Sequence, residues 1–540
     1  MSTTEKNEKS IKGLLLLAML LGAVIGGISY PYLFKRTSKS IGRSDKVQEV
    51  FNMIGNEYVD SMNKDSLETM MLDGMLAELD PHSHYFTASD LKKEEERISG
   101  GFDGVGIILR YRNDTVFANS VIPGSPAERC GIQPGDRIMM VGNDSVTGVK
   151  MAGEDVVNLI RGRKGTFVTL SILRGPNANP MNIRLVRGSI ATPTVPYSGL
   201  LSNKTGYIKI QTFGQTTYRE FHSALYNLKT HFVDTLIIDL RGNGGGLLDA
   251  AIDIANDLLP NGSLIVYTEG AHQKRVDTYA RGRAFYEGHV IIMIDEQSAS
   301  ASEVVSGAIQ DNDRGVIVGR RSFGKGLVQR QMDLSDGSAV WLTVARYYTP
   351  SGRCIQRPYD KGTDEYYTSY LERMITEMEN DSIVSSVTDT TKYFTKQGRV
   401  VYGGGGIFPD HVLSYHRDPL LVYVNNIFNK GCISDMALDY VVMNFANLKS
   451  RYNSADDFVN NFKVSDNMMR SLEKRASDKG IKYDAPSARK YDQFIRTLLK
   501  AYIGESLFDM ATFYRINATN DHELQQVLSD MCSWGATVNK

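Results

Sequence analysis

The hexapeptide Ser298-Ala299-Ser300-Ala301-Ser302-Glu303 joins an apolar run, His289–Asp295, to a helical stretch, Ala301–Gln310. Small residues permit a sharp strand-to-helix turn and a close approach by another backbone. A serine exposed at such a turn meets free N–H groups and the positive end of the helix dipole, which favour developing negative charge. That suits a nucleophile whose acyl intermediate carries an oxyanion. The alternative is that three serines simply cap the helix. Lys325 lies 25 positions after Ser300, in Phe323-Gly324-Lys325-Gly326-Leu327-Val328-Gln329. A lysine between glycines and apolar neighbours is open to desolvation, which lowers its pKa and makes it usable as a general base. Taken singly, Gly-Lys-Gly also reads as a solvated loop. The glycine-rich Asp239-Leu240-Arg241-Gly242-Asn243-Gly244-Gly245-Gly246 reads by itself as a helix-entry turn.

Rival chemistries lack their motifs. The nine histidines sit in no catalytic-loop context, and G-x-S-x-G is missing around Ser300. H-E-x-x-H and the phosphate-binding G-x-x-x-x-G-K-[ST] are absent. His82 and His84 stand two apart after Asp80-Pro81, and a metal there needs further ligands that the sequence does not supply. Neither a metal nor a cofactor is expected.

The elements that must position these groups fall into stretches of different character. Residues 44–96 read as helices: Val47, Val50, Phe51, Ile54 and Tyr58 recur at helical spacing, and a second helix from Asp65 stops at Asp80-Pro81. Residues 99–190 carry short strands at Gly106–Arg110, Val116–Ile122, Arg137–Val141 and Thr166–Leu173, with a helix near Glu154–Arg161 and turns at Gly124-Ser125-Pro126-Ala127 and Gly131–Asp136. Within a core taken as residues 191–415, residues 191–360 alternate strands (Tyr207–Phe213, Thr235–Leu240, His289–Asp295, Val316–Gly319, Ala339–Tyr348) with helices (Arg219–Lys229, Leu247–Leu259, Ala301–Gln310). That order predicts helices on a partly parallel, mixed sheet. Residues 416–540 show helical periodicity and no motif. The predicted class is therefore a multidomain α/β (α+β) chain: an N-terminal helical segment, a β-rich domain, an α/β core with a mixed sheet, and a C-terminal helical extension.

Two resemblances sharpen this. Residues 99–190 resemble a PDZ domain, with Gly104-Val105-Gly106-Ile107 matching the family's carboxylate-binding loop. Glycines there let successive N–H groups point inward to hold a terminal carboxylate, and the adjoining strand edge accepts a peptide as an extra strand. Ser-Ala-Ser-Ala-Ser-Glu followed by Phe-Gly-Lys-Gly-x-Val-Gln resembles the carboxyl-terminal processing peptidases, the tail-specific proteases of family S41 that use a Ser-Lys dyad. The resemblance covers roughly residues 45–415 and includes Leu79-Asp80-Pro81-His82-Ser83, Tyr347–Arg353 and Gly406-Ile407 with Pro409-Asp410. It implies Ser300 as nucleophile, Lys325 as base and Gln329 as the residue that orients the lysine. The main-chain N–H of Ala301, with that of Gly245 or Gly246, would form the oxyanion hole. Asp311 matches an acidic family position. Eleven residues from Ser300 on one helix, it is expected to be structural. The implied function is a serine endopeptidase that captures protein or peptide C-termini on its PDZ domain, which also gates the site. The competing reading is a catalytically silent PDZ scaffold.

Bulk properties bound the rest. At 540 residues the chain needs several domains, and Lys+Arg 61 against Asp+Glu 62 implies no nucleic-acid partner. Four scattered cysteines without C-x-x-C are expected to be unpaired. Gly13–Phe34 is 22 residues without a charge, behind Lys6, Lys9 and Lys12. As a helix it reaches about 33 Å, enough to cross a bilayer. It predicts an uncleaved signal anchor with the body exported from the cytoplasmic membrane to the periplasm or cell exterior; a cleaved signal is the alternative. Residues 416–540 are candidates for self-association or adaptor binding.

Overall fold

The computed structural model describes residues 43–175, 179–380, 391–415 and 418–538. The run Gly13–Phe34 lies outside the described residues, among which no helix is long and apolar enough to cross a membrane. The chain divides into two units, Met1–Gly74 and Met75–Lys540. In the first, helix Arg43–Glu57 leads to helix Lys64–Ala77, whose start is capped by the Asn63 side chain accepting from the N–H groups of Asp65 and Ser66. Of the apolar stripe on the first helix, Val47 and Val50 are exposed while Phe51 and Ile54 are half-buried.

The second unit holds the predicted β-rich domain. Its antiparallel sheet runs in the order Ile107–Arg112, Thr115–Val121, Arg137–Val141, Phe167–Leu173, Met181–Val186. Strand Thr115–Val121 alternates half-buried and buried positions, the period-2 pattern of a sheet with one face on a core. That core includes Val116, Ala118, Ile138, Leu170, Ile172 and Leu185, closed by Val156 and Ile160 of helix Gly153–Ile160. Strand Ile107–Arg112 ends the sheet, so among the described residues its outer edge carries no strand. A ribbon pairing Gly101–Gly104 with Gly188–Ala191 closes the base of this domain.

The α/β core is built on a six-stranded sheet: Tyr197–Leu200, Thr205–Lys209, Thr235–Asp239, His289–Ile294, Val316–Gly319, His411–Val412. All neighbours are parallel except the first pair, so the sheet is mixed as expected. Helices Thr217–Thr230, Leu248–Leu258 and Ala301–Asp311 cover one face. Ile237, Ile291, Met293 and Val318 on the other face pack against Leu524, Val527 and Trp534 of the last helix, His522–Val538. Parallel strands buried on both faces read as continuous apolar runs, which is why Leu236-Ile237-Ile238 and Val290–Ile294 are legible. A second sheet joins His84–Phe86, Ala339–Tyr348, Leu264–Gly270, Gln273–Tyr279 and Leu327–Asp333.

Two expectations change. The strand predicted to reach Phe213 leaves the ladder after Lys209; from there Ile210 N–H bonds the Asp239 carbonyl and Phe213 N–H the Gly245 carbonyl. Helix Thr363–Asn380 was not anticipated from the sequence. Residues 421–538 form eight helices joined by short loops, and those before the last share a core of their own that includes Ile427, Val441, Phe458, Leu499 and Ile503. All four cysteines are free.

Candidate active site

The nucleophile turn is assembled from both sides. Ser300 sits at the N-cap of the fully buried helix Ala301–Asp311 with φ 55° and ψ −114°. A non-glycine residue there costs on the order of 1–3 kcal/mol, and such strain persists only where surroundings over-determine it. They do so here. The Asn243 carbonyl accepts from Ala299 N–H (3.0 Å) and Ser302 Oγ (2.9 Å), gripping the turn on either side of Ser300. Gly245 has φ +99°, and a Cβ there would stand 2.7 Å from Ser300 Cβ. Only glycine lets the two turns touch.

The buried carboxylate of Glu303 ties the nucleophile turn to the lysine loop. One oxygen accepts from Ser300 N–H (2.8 Å) and Lys325 N–H (2.9 Å); the other accepts from Ser322 Oγ (2.6 Å) and Gly324 N–H (2.7 Å). Burial pushes Glu303 up to about 6, against the pull of these four donors. Tyr347, fully buried, donates its hydroxyl to the carbonyls of both Ser300 and Lys325. Glu303 and Tyr347 stand in the matched motifs, but no role follows from sequence for either.

Lys325 reaches the same place from the opposite wall. Burial lowers its pKa, opposed by the charges of Asp80 and Glu303. Its Nζ donates to Gln329 Oε1 at 2.9 Å, and Gln329 Nε2 in turn donates to the His82 carbonyl. The loop carrying His82 is held by Asp80, whose carboxylate accepts from the N–H groups of His82 and Ser83 and from Ser83 Oγ. His82 Nε2 lies 3.0 Å from the Tyr366 hydroxyl, and burial followed by the Lys325 charge pushes the ring down to about 3. The sequence marks this loop as a helix stop; the structure makes it the support of Gln329.

Ser300, Ala301, Lys325, Gln329, Gly244 and Gly246 line one cavity of about 1160 Å³. No hydrogen bond joins Lys325 Nζ to Ser300 Oγ among the described residues. Gly245 N–H is taken by Asn243 Oδ1 (2.9 Å), whereas the N–H groups of Ala301 and Gly246 have no acceptor there. Phe102 and Asp103 line the same cavity, immediately before the Gly104–Ile107 loop. In that loop Gly106 has φ +83°, and a Cβ would fall 2.2 Å from Ser125 Cβ. Asp311 lies away from the cavity, paired with Arg353 at 2.7 Å and accepting from Ser351 N–H and Oγ.

The sequence pattern of peptidase family S41 matches residues 204–364, and that of a PDZ domain matches residues 117–174. A family of unknown function matches residues 423–509. A probable CtpA-like serine protease of Staphylococcus epidermidis is 33% identical over 368 residues, 66% of this chain and 74% of that relative. The chain belongs to peptidase family S41. A probable CtpA-like serine protease of Staphylococcus aureus is 32% identical over 345 residues, 62% of this S41 chain and 68% of its own. Among solved structures, a photosystem II D1 C-terminal processing protease is 30% identical, covering 58% of this S41 chain and 84% of that one with a TM-score of 0.34. The protein is thus an S41 serine peptidase with a PDZ domain.

Proposed function

We propose that this S41 peptidase is an endopeptidase that cuts exported proteins near their C-termini with a Ser300–Lys325 dyad. Neutral Lys325 Nζ takes the proton of Ser300 Oγ as that oxygen attacks the scissile carbonyl carbon. The oxyanion accepts the N–H groups of Ala301 and Gly246, the two left without an acceptor. Protonated Lys325 then gives its proton to the leaving amine; the neutral lysine next takes a proton from a water that attacks the acyl carbon and returns it to Ser300 Oγ as the ester bond breaks. Gln329, held through the His82 carbonyl, keeps the amine facing the cavity. Glu303 and Tyr347 hold the two loops in register.

The PDZ part of the reading rests on the unpaired outer edge of strand Ile107–Arg112, which follows directly on Gly104–Ile107. A peptide C-terminus bound there adds a strand, and its carboxylate meets the loop N–H groups. Because Phe102 and Asp103 wall the catalytic cavity, an occupied loop has a short path by which to bring Lys325 onto Ser300. The apolar run Gly13–Phe34 supports an anchor that holds the body outside the cytoplasmic membrane.

One observation carries the dyad: a desolvated lysine and a strained serine line one cavity while their loops share the Glu303 carboxylate. The test is active-site labelling with a fluorophosphonate beside turnover of a protein with an apolar tail. Ser300→Ala should lose both label and turnover, and Lys325→Ala should lose about a thousandfold or more in kcat. Undiminished turnover in either variant refutes the dyad. Amidation of the substrate C-terminus should raise KM, and an unchanged KM would remove the PDZ step.

A further inference from the structure

Besides the apolar sheet face it covers, the last helix, with Asp521 just before it, meets the catalytic core at a charged cluster. Arg241, of the glycine turn, lies between Asp239 on its own strand end and two carboxylates from the C-terminal region. Its guanidinium donates to Asp239 Oδ2 (2.6 Å), to Asp521 Oδ1 (3.0 Å) and Oδ2 (2.5 Å), and to Glu523 Oε2 (2.8 Å). The other Glu523 oxygen accepts from Arg320, which also holds Glu296 at 2.9 Å. Lys209 Nζ donates to Asp239 Oδ1 (3.1 Å) and to the Arg241 carbonyl (2.5 Å). The Arg241 side chain is 13% exposed, so these pairs are shielded from water.

What Arg241 holds is the turn beside Ser300. Two residues on, Asn243 grips Ala299 and Ser302 with its carbonyl and fixes Gly245 N–H with its side-chain oxygen. Gly242 N–H, between them, donates to Asp295. A shift of Arg241 therefore passes through the four residues of tight turn, 242–245, to Gly246, which lines the cavity. Without Asp521 and Glu523 the pocket would hold Arg241, Lys209 and Arg320 against only Asp239 and Glu296, and like-charged groups would push the turn outward.

We propose that Asp521 and Glu523 are positioning residues for catalysis: the C-terminal region, through Arg241, sets the glycine turn that supplies the oxyanion donor. The inference rests on the Ser300–Lys325 reading above and assigns the C-terminal region a part in the peptidase reaction. Nothing in the S41 pattern at residues 204–364 contains these two carboxylates.

Asp521 also caps its helix by accepting from Leu524 N–H, a role asparagine fills equally well. Asp521→Asn with Glu523→Gln in the full chain therefore removes charge while keeping shape and cap. With rates expressed per fluorophosphonate-titrated site, kcat should fall about tenfold, KM should hold within about twofold, and affinity for a peptide boronate should weaken about tenfold. The pH midpoint of kcat should stay where it is in the wild type, since Lys325 is untouched. A lower melting temperature with kcat per site and boronate affinity unchanged would make the contact merely structural and overturn the proposal. If the double variant does not fold, Glu523→Gln alone, which leaves Asp521 on Arg241, should show the same split at smaller size. Its failure to do so is equally decisive. Turnover that survives Ser300→Ala sinks the dyad reading itself, whatever these variants do.

Discussion

Lys325 is costly to bury, and the sign of that cost gives two linked expectations. Burial lowers the amine's pKa in the folded protein below the ordinary lysine value in the unfolded chain. The folded state thus binds that proton less tightly, so stability is full above the unfolded pKa and is lost as pH falls towards the folded one. Lys325→Met should therefore be inactive yet melt higher than wild type at neutral pH, a gap that closes as pH rises past the normal lysine range; scanning calorimetry across pH reads it. In wild type, kcat should rise with pH as Lys325 loses its proton, with a midpoint below that range. Glu303, raised to about 6, acts in the same direction on activity: below that pH its carboxylate protonates and releases a donor from the clamp. His82, pushed down to about 3, adds no limb between. A rate profile flat from pH 6 to the lysine range would contradict a lysine base. Ser300 and Lys325 are singled out by the resemblance of their two motifs to S41 peptidases; taken singly, the small residues and glycines read as well as a helix cap and a solvated loop. Glu303 and Tyr347 are not singled out, since their roles are contacts to backbone groups on another loop.

At the level of elements, helix Ala301–Asp311 carries the site at one end and is anchored at the other. All eleven residues are buried, and the polar ones are bonded: Ser302 and Ser306 to carbonyls, Gln310 to Phe408 and Asp410, Asp311 to Arg353. Both Asp311 and Arg353 are 0% exposed at their side chains. Removing one member of such a pair strands the other charge, so Asp311→Ala should cost about 3–5 kcal/mol. Urea unfolding should show that loss while kcat per titrated site changes by less than about threefold, because the pair lies a helix length from Ser300. A large loss of kcat without a loss of stability would instead make Asp311 part of the chemistry. The strands of the main sheet were readable from apolar runs, as at Ile291–Ile294. Strand Leu327–Asp333, which carries Gln329, was not: past Val328 it reads Gln-Arg-Gln-Met-Asp, with Arg330 and Gln331 exposed and Gln329 half-buried. The contact that gives Gln329 its purpose spans from position 329 to His82, a separation no local pattern reveals.

For the whole molecule, the matched family patterns stop where one of the chain's structural dependences begins. The S41 pattern ends at residue 364 and the pattern of unknown function at 509, yet helix His522–Val538 beyond both completes the core. It covers the face of the main sheet formed by Ile237, Ile291, Met293 and Val318, with Trp534 stacked on His411 at 4.5 Å between ring centroids. The preceding helices fasten the PDZ sheet as well: Asp435 pairs with Arg110 and Asp439 with Arg112, both on the strand with the open edge. The extension is therefore bound at two places that the proposed reaction must coordinate. A chain ended at residue 415 should expose an apolar sheet face and aggregate, as seen by light scattering. Trp534→Ala, a milder lesion on the same face, should lower stability by about 3–5 kcal/mol. A soluble, monomeric truncation with the wild-type melting temperature would mean that the sheet is complete without its last helix. Arg110→Ala with Arg112→Ala separates the second attachment from the first: it should loosen the PDZ sheet, raising hydrogen exchange along Ile107–Arg112, and leave the Trp534 face as protected as before. If both regions open together, the extension behaves as one rigid strut, and PDZ and catalytic turn share a single cooperative unit.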